Sequence, residues 1–134
     1  MKNGFTLTTE FMASPAEIYD AWLSSAGHGA MTGSPAKIDP KVGGAFTAWD
    51  GYIVGETLEL GPSLRIVQAW RTSEFPEKAP DSRLEILLEP SKRGTRLTLI
   101  HSEMPPDQVE SYRQGWDESY FQPMREYFEA GAGS

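Results

Sequence analysis

Hydrophobic and polar positions alternate from the start of the chain. In FTLTTEFM, Phe5, Leu7, Thr9 and Phe11 alternate with Thr6, Thr8 and Glu10, the two-residue period of a half-buried strand. SPAEIYDAWL follows, with Ser14 as N-cap, Pro15 at the first helical position and Glu17 closing a capping box, so a helix starts there. Ile18, Ala21 and Trp22 give it one apolar side. Glycines and prolines break up the next stretch, which predicts a short helix over 26–32, a short strand over 36–39 and a Gly43-Gly44 turn. Five strand patterns come next, over 45–49, 52–60, 64–72, 82–89 and 95–102, with turns at Asp50-Gly51, Gly61-Pro62 and 91–94. Pro105-Pro106 ends the last strand, and a long helix begins near Asp107. The predicted class is α+β, an antiparallel sheet with helices packed on one face.

The closing helix carries most of the aromatic weight. At about 100° per residue, Val109, Tyr112, Trp116, Tyr120, Met124 and Tyr127 fall within about 120° of one another, flanked by Phe121 and Phe128. Pro123 lacks a backbone donor and crowds the carbonyl of Ser119, so a kink is expected there. The sheet is the surface available to receive this stripe, either as solid core or as one wall of a cavity.

Composition narrows the partners. The 134 residues suit a single domain, 1–134. Twelve basic against nineteen acidic residues give a formal charge of −7, which disfavours nucleic acid and anionic membranes. No run is apolar enough to span a bilayer and no secretory leader is evident, so membrane insertion is not expected and a cytoplasmic location is. Without cysteine, and with only His28 and His101, a structural metal site is not expected. No nucleophile elbow, phosphate loop or dinucleotide fingerprint is present, and no cofactor is implied.

SPAEIYDAW after a first strand, GGAF, RIVQAWR, GTRLTLIHSEMP and the closing GW occur in this order across nearly the whole chain. Together they resemble the family named for the activator of the heat-shock-protein-90 ATPase, within the START-like, birch-pollen-allergen and polyketide-cyclase superfamily. The resemblance implies a helix-grip fold. In it, a curved seven-stranded antiparallel sheet wraps a long C-terminal helix, two short helices follow the first strand, and a cavity commonly lies between sheet and helix. Related members include lipid carriers, hormone receptors, polyketide cyclases and a chaperone-binding domain, so function rests on the site itself. The family name belongs to larger proteins with an additional domain, for which a chain of this length has no room.

Strand parity assigns the interior. Leu64, Ile66, Gln68 and Trp70 share one face, opposite Arg65 and Arg71, and by the same reasoning Leu84, Ile86, Leu88, Leu97, Leu99 and His101 point inward. With simple hairpin register, Glu56 faces Gln68, Val54 faces Trp70, and Trp70, Leu84 and His101 form a row. Arg113 falls within the helix's apolar arc. Glu56 has three readings: turned outward by a bulge at Gly55, paired with Gln68 or Arg113, or a polar handle that orients a ligand. His101 reads as a hydrogen-bonding partner or a general base, whereas His28 is expected in a loop or at the surface. Glu85 and Glu89 should face solvent.

The reading adopted is binding of a small apolar or amphipathic molecule in a cavity between sheet and helix. Its walls would be Trp70, Leu84, Leu97, Leu99, Tyr112, Trp116, Tyr120 and Met124, and its polar handles Glu56, Gln68 and His101. Two alternatives stay open. One is an interaction module with a chaperone as partner, which predicts an exposed apolar patch that the outward parities do not supply. The other is a cyclase- or hydrolase-type enzyme using Glu56 or His101 as general base.

Overall fold

A computed structural model describes residues 3–132. Strand β1 (Phe5–Phe11) leads into helices α1 (Pro15–Trp22) and α2 (Ser25–Thr32). Six strands follow: β2 (Lys37–Ile38), β3 (Ala45–Ala48), β4 (Ile53–Gly61), β5 (Arg65–Thr72), β6 (Ser82–Ser91) and β7 (Gly94–Ser102). The chain closes on a 3₁₀ turn (Pro106–Gln108), α3 (Val109–Gly115), a π-helical turn (Trp116–Phe121) and α4 (Gln122–Ala132). All neighbouring strands pair antiparallel in the order β1-β7-β6-β5-β4-β3-β2. This is the helix-grip arrangement, a curved seven-stranded sheet around the terminal helix.

The capping box at α1 forms as the sequence dictates: the Ser14 hydroxyl accepts from Glu17 N, and the Glu17 carboxylate accepts from Ser14 N, both at 3.1 Å. On the sheet, Ile66, Leu84, Ile86, Leu88, Leu97 and Leu99 are buried on the inner face as parity requires. They meet Phe121, Met124 and Phe128 from the helix and Ile18, Trp22 and Met31 from α1 and α2 in one core. On the outer face Arg65 bridges Glu59 (2.7 Å) and Glu85 (2.6 Å). Glu85 therefore faces outward, but paired and half-buried. The Arg65 hydrogen bond, opposed by partial burial, holds its carboxyl below the ordinary range.

Three parts of the sequence reading are corrected. The first is the parity of β4. Gly61 pairs with Arg65, so Leu64 lies in the turn and is 61% exposed, with Ser63 at φ 61° before it. A bulge at Leu58 then shifts the register between Thr57 and Glu59. A shift of one residue turns every later side chain over. Ile53, Gly55 and Thr57 consequently face inward, while Val54, Glu56 and Leu58 are exposed. Gln68 faces Thr57 and Trp70 faces Gly55; Glu56 lies opposite Ala69 and points to solvent. The bulge responsible is at Leu58, not at Gly55.

The second correction is the row. Leu84 does pair with His101, but their neighbour on β5 is Gln68, and Trp70 pairs with Ser82. Trp70 still reaches His101 diagonally, ring centroids 4.5 Å apart at 88°.

The third concerns the helix. Tyr112, Trp116, Tyr120, Met124 and Phe128 are buried at constant four-residue steps, whereas Tyr127 is 43% exposed and Arg113 is exposed. In a regular α-helix such steps drift by about 40° each, which would carry the stripe well around the axis. The π turn holds more residues per turn and cancels much of the drift. It is set just before Pro123, with Gln122 N donating to Asp117 O five residues back. The chain thus meets the missing donor and the crowded Ser119 carbonyl by widening one turn. Arg113 instead bonds Glu110 (3.3 Å) and lies over the Phe5 ring.

Candidate functional site: an aromatic cleft

Most of the space expected to be empty is filled. Leu84, Leu97, Leu99 and Met124 are each at most 1% exposed, packed into the core, and do not line the aromatic cleft beside the terminal helix. An open cleft of about 380 Å³ lies between the β3–β4 hairpin and the start of the terminal helix. The hairpin side supplies Trp49, Tyr52 and Ile53, with Trp70 from β5 behind them; the helix side supplies Ser111, Tyr112, Gly115, Trp116, Ser119 and Tyr120. Of the expected walls, Trp70, Tyr112, Trp116 and Tyr120 belong to it. Trp49 and Tyr52 were missed. They flank Asp50-Gly51, and a left-handed backbone at Trp49, Asp50 and Gly51 (φ 53°, 56° and 89°) brings both rings to the cleft.

Ring packing fixes the floor. Trp116 stacks on Trp22 (6.0 Å, 24°) and leans on Tyr120 (4.5 Å) and Trp70 (5.8 Å). Beneath lies a chain of satisfied polar groups: Trp22 Nε1 donates to Gln68 Oε1 (3.3 Å), and Gln68 Nε2 to Thr57 Oγ1 (3.2 Å). Gln68 is thus a buried structural partner, 1% exposed and outside the cleft lining.

His101 is fully engaged. Trp116 Nε1–H can only donate, so Nδ1 accepts it at 3.0 Å. Ser82 Oγ donates to Trp70 O (2.6 Å), leaving a lone pair for His101 Nε2–H at 2.8 Å. The ring is completely buried, and burial lowers its pKa to about 3. A general base needs a free lone pair near substrate, and His101 has none to offer. With Glu56 in solvent, neither proposed base is in place.

His28, expected at the surface, is 3% exposed on α2. Its Nδ1–H donates to Trp22 O (2.9 Å), which leaves Nε2 to accept the Tyr120 hydroxyl at 2.8 Å. Burial lowers its pKa against a smaller opposing effect of the Trp22 carbonyl, and burial raises that of Tyr120. At the other end Thr72 Oγ1 and Tyr112 OH lie 2.6 Å apart, Tyr112 donates to Gln108 Oε1 (2.6 Å), and Tyr52 bonds Glu74. No signal in the sequence pointed to His28; only the docking of α2 against the terminal helix buries it. Among the described residues no group of histidines and carboxylates is arranged to hold a metal, and no helix is long and apolar enough to cross a membrane.

Fold and site together define a START-like helix-grip protein with an aromatic cleft beside its terminal helix. Residues 12–129 match the model of the Activator of Hsp90 ATPase homolog 1-like family, and the chain belongs to that family. It is 31% identical over 127 residues to human Activator of 90 kDa heat shock protein ATPase homolog 1, covering 95% of this chain and 37% of that protein. The chain thus spans little more than a third of the length of that relative. Among solved structures, an HSP90 activator from Plasmodium falciparum superposes with a TM-score of 0.77 at 26% identity, covering 88% of this chain and 90% of that one. A protein from Chromobacterium violaceum gives 0.74 at 27%, covering 96% and 99%.

Proposed function

We propose that the protein binds a small, ring-bearing or otherwise apolar molecule in the cleft between the Trp49–Tyr52 hairpin and the terminal helix. Gly115 is the observation that carries this reading. A glycine within a helix costs about 0.5–1 kcal/mol relative to alanine, and here no packing demands it: a Cβ built on Gly115 would meet nothing within 4 Å. Its absence keeps the cleft open between six aromatic side chains. The volume lies in the range of small-molecule sites. Both histidines spend their nitrogens on the protein, so the site supports binding rather than proton transfer.

The experiment is titration with N-phenyl-1-naphthylamine, an uncharged fluorophore, beside the variant Gly115→Leu. Leucine should plug the cleft without disturbing the fold, so probe binding is expected to fall at least tenfold while the thermal midpoint holds or rises. Equal binding by both proteins would place the probe elsewhere and refute the reading.

A second reading has its own support. The family relationship suggests a chaperone of the Hsp90 class as partner, and the reversed parity of β4 exposes Val54 and Leu58, with Leu64 in the adjoining turn, on the side away from the core. This is apolar surface that the sequence reading had not found. Measuring the ATPase rate of a purified Hsp90 with and without this chain tests it, and an unchanged rate would count against it.

A further inference from the structure

We propose that the cleft is built for an organic cation, an ammonium head group bearing small alkyl substituents. This rests on the cleft being a ligand site, and adds the chemistry of what it holds. The lining contains six aromatic side chains and not one charged side chain. Trp70 and Tyr112 meet edge to face at 84° with centroids 5.2 Å apart, and a guest seated against both perpendicular rings would meet a ring face, the negative side of the quadrupole. An alkylammonium held against such faces gains electrostatic attraction while its methyl groups satisfy the apolar walls.

The surrounding charge has the matching sign. Glu74 bonds the hydroxyl of Tyr52 at the rim, and Asp50 sits in the hairpin between Trp49 and Tyr52. Burial raises the pKa of Tyr112, its hydrogen bond to Thr72 acts the other way, and the fields of Glu74 and Asp107 add smaller upward contributions. The arginines in this region are occupied: Arg71 bonds Asp81 at 2.9 Å and stacks over Phe75, and Arg113 bonds Glu110 and covers Phe5. The chain as a whole carries −7. An anionic ligand would find no counter-charge here, and a neutral one would leave the negative field unused.

Choline and 3,3-dimethylbutan-1-ol test this directly, because they share shape and hydroxyl and differ in the charge of one atom. Each is titrated against the whole protein while the indole N–H resonances of Trp49, Trp70 and Trp116 are followed by NMR. Choline is expected to bind about 5- to 30-fold more tightly than the alcohol. The preference should shrink in Glu74→Gln, and both probes should lose their shifts in Gly115→Leu. Equal or tighter binding of the alcohol overturns the proposal, as does silence of the indole resonances with choline. N-phenyl-1-naphthylamine then separates the two failures. If it still binds in a Gly115→Leu-sensitive way, the cleft stands and only its preference for a cation is lost; if it does not, the cleft reading falls as well.

Discussion

Lowering the pH from 7.5 to 5 should cost this protein a substantial part of its stability, and His101 is the main reason. Its folded pKa is lowered to about 3 by burial, against about 6.5 in an unfolded chain. A depressed folded value means the unfolded state takes up the proton first. The contribution is therefore fully present above pH 6.5 and is lost as pH falls toward 3. Between pH 7.5 and 5 the loss from this one residue is about 2 kcal/mol. His28 is lowered in the same direction and adds to it. Glu85 does not confuse this window. Glu85, lowered chiefly by its Arg65 hydrogen bond, gives up its stabilisation only as pH falls through and below its ordinary value of 4.5. The assay is urea unfolding at pH 7.5, 6.5, 5.75 and 5, with His101→Gln measured alongside. The variant starts less stable, since Trp116 and Ser82 lose their partner, but its dependence on pH should be markedly shallower. A wild-type midpoint that does not move between pH 7.5 and 5 would refute the reasoning, and so would an undiminished slope in the variant.

Trp116→Ala should destabilise by about 3 kcal/mol, the low end for such truncations, because one side of the ring already borders the cleft; chemical denaturation at pH 7.5 checks it. Glu56→Gln should leave stability within about 0.5 kcal/mol and probe binding unchanged, as an exposed outer-face residue requires; weaker binding in a fluorescence titration would contradict the observed parity. Gly55→Ala should cost about 1–3 kcal/mol, because its Cβ would fall 2.0 Å from Ala69 O and 2.6 Å from the Phe46 ring. A thermal midpoint unaltered in that variant would mean β4 does not present Gly55 inward.

Local rules determined a great deal by themselves. The Ser14-Pro15-Glu17 box set the start of α1, and strict alternation placed Leu84, Ile86 and Leu88, and Leu97, Leu99 and His101, on the inner face of two strands. Capping and alternation involve neighbours a few residues apart, so the sequence displays them directly. The parity of β4 was different. It depended on a bulge at Leu58, fixed by pairing with β5 and marked by no distinctive residue. One unpaired residue was enough to exchange Glu56 for Thr57 beside Gln68. The helix shows the same division: Pro123 announced a disturbance, but the choice of a π turn over a kink came from keeping Tyr120, Met124 and Phe128 against the sheet. His28 was hidden for a related reason, since only the approach of α2 to Tyr120 gives its ring partners and removes it from water. The cleft itself required two distant segments, the Trp49–Tyr52 hairpin and the helix face interrupted by Gly115, and their meeting is a property of the folded sheet's curvature rather than of either segment.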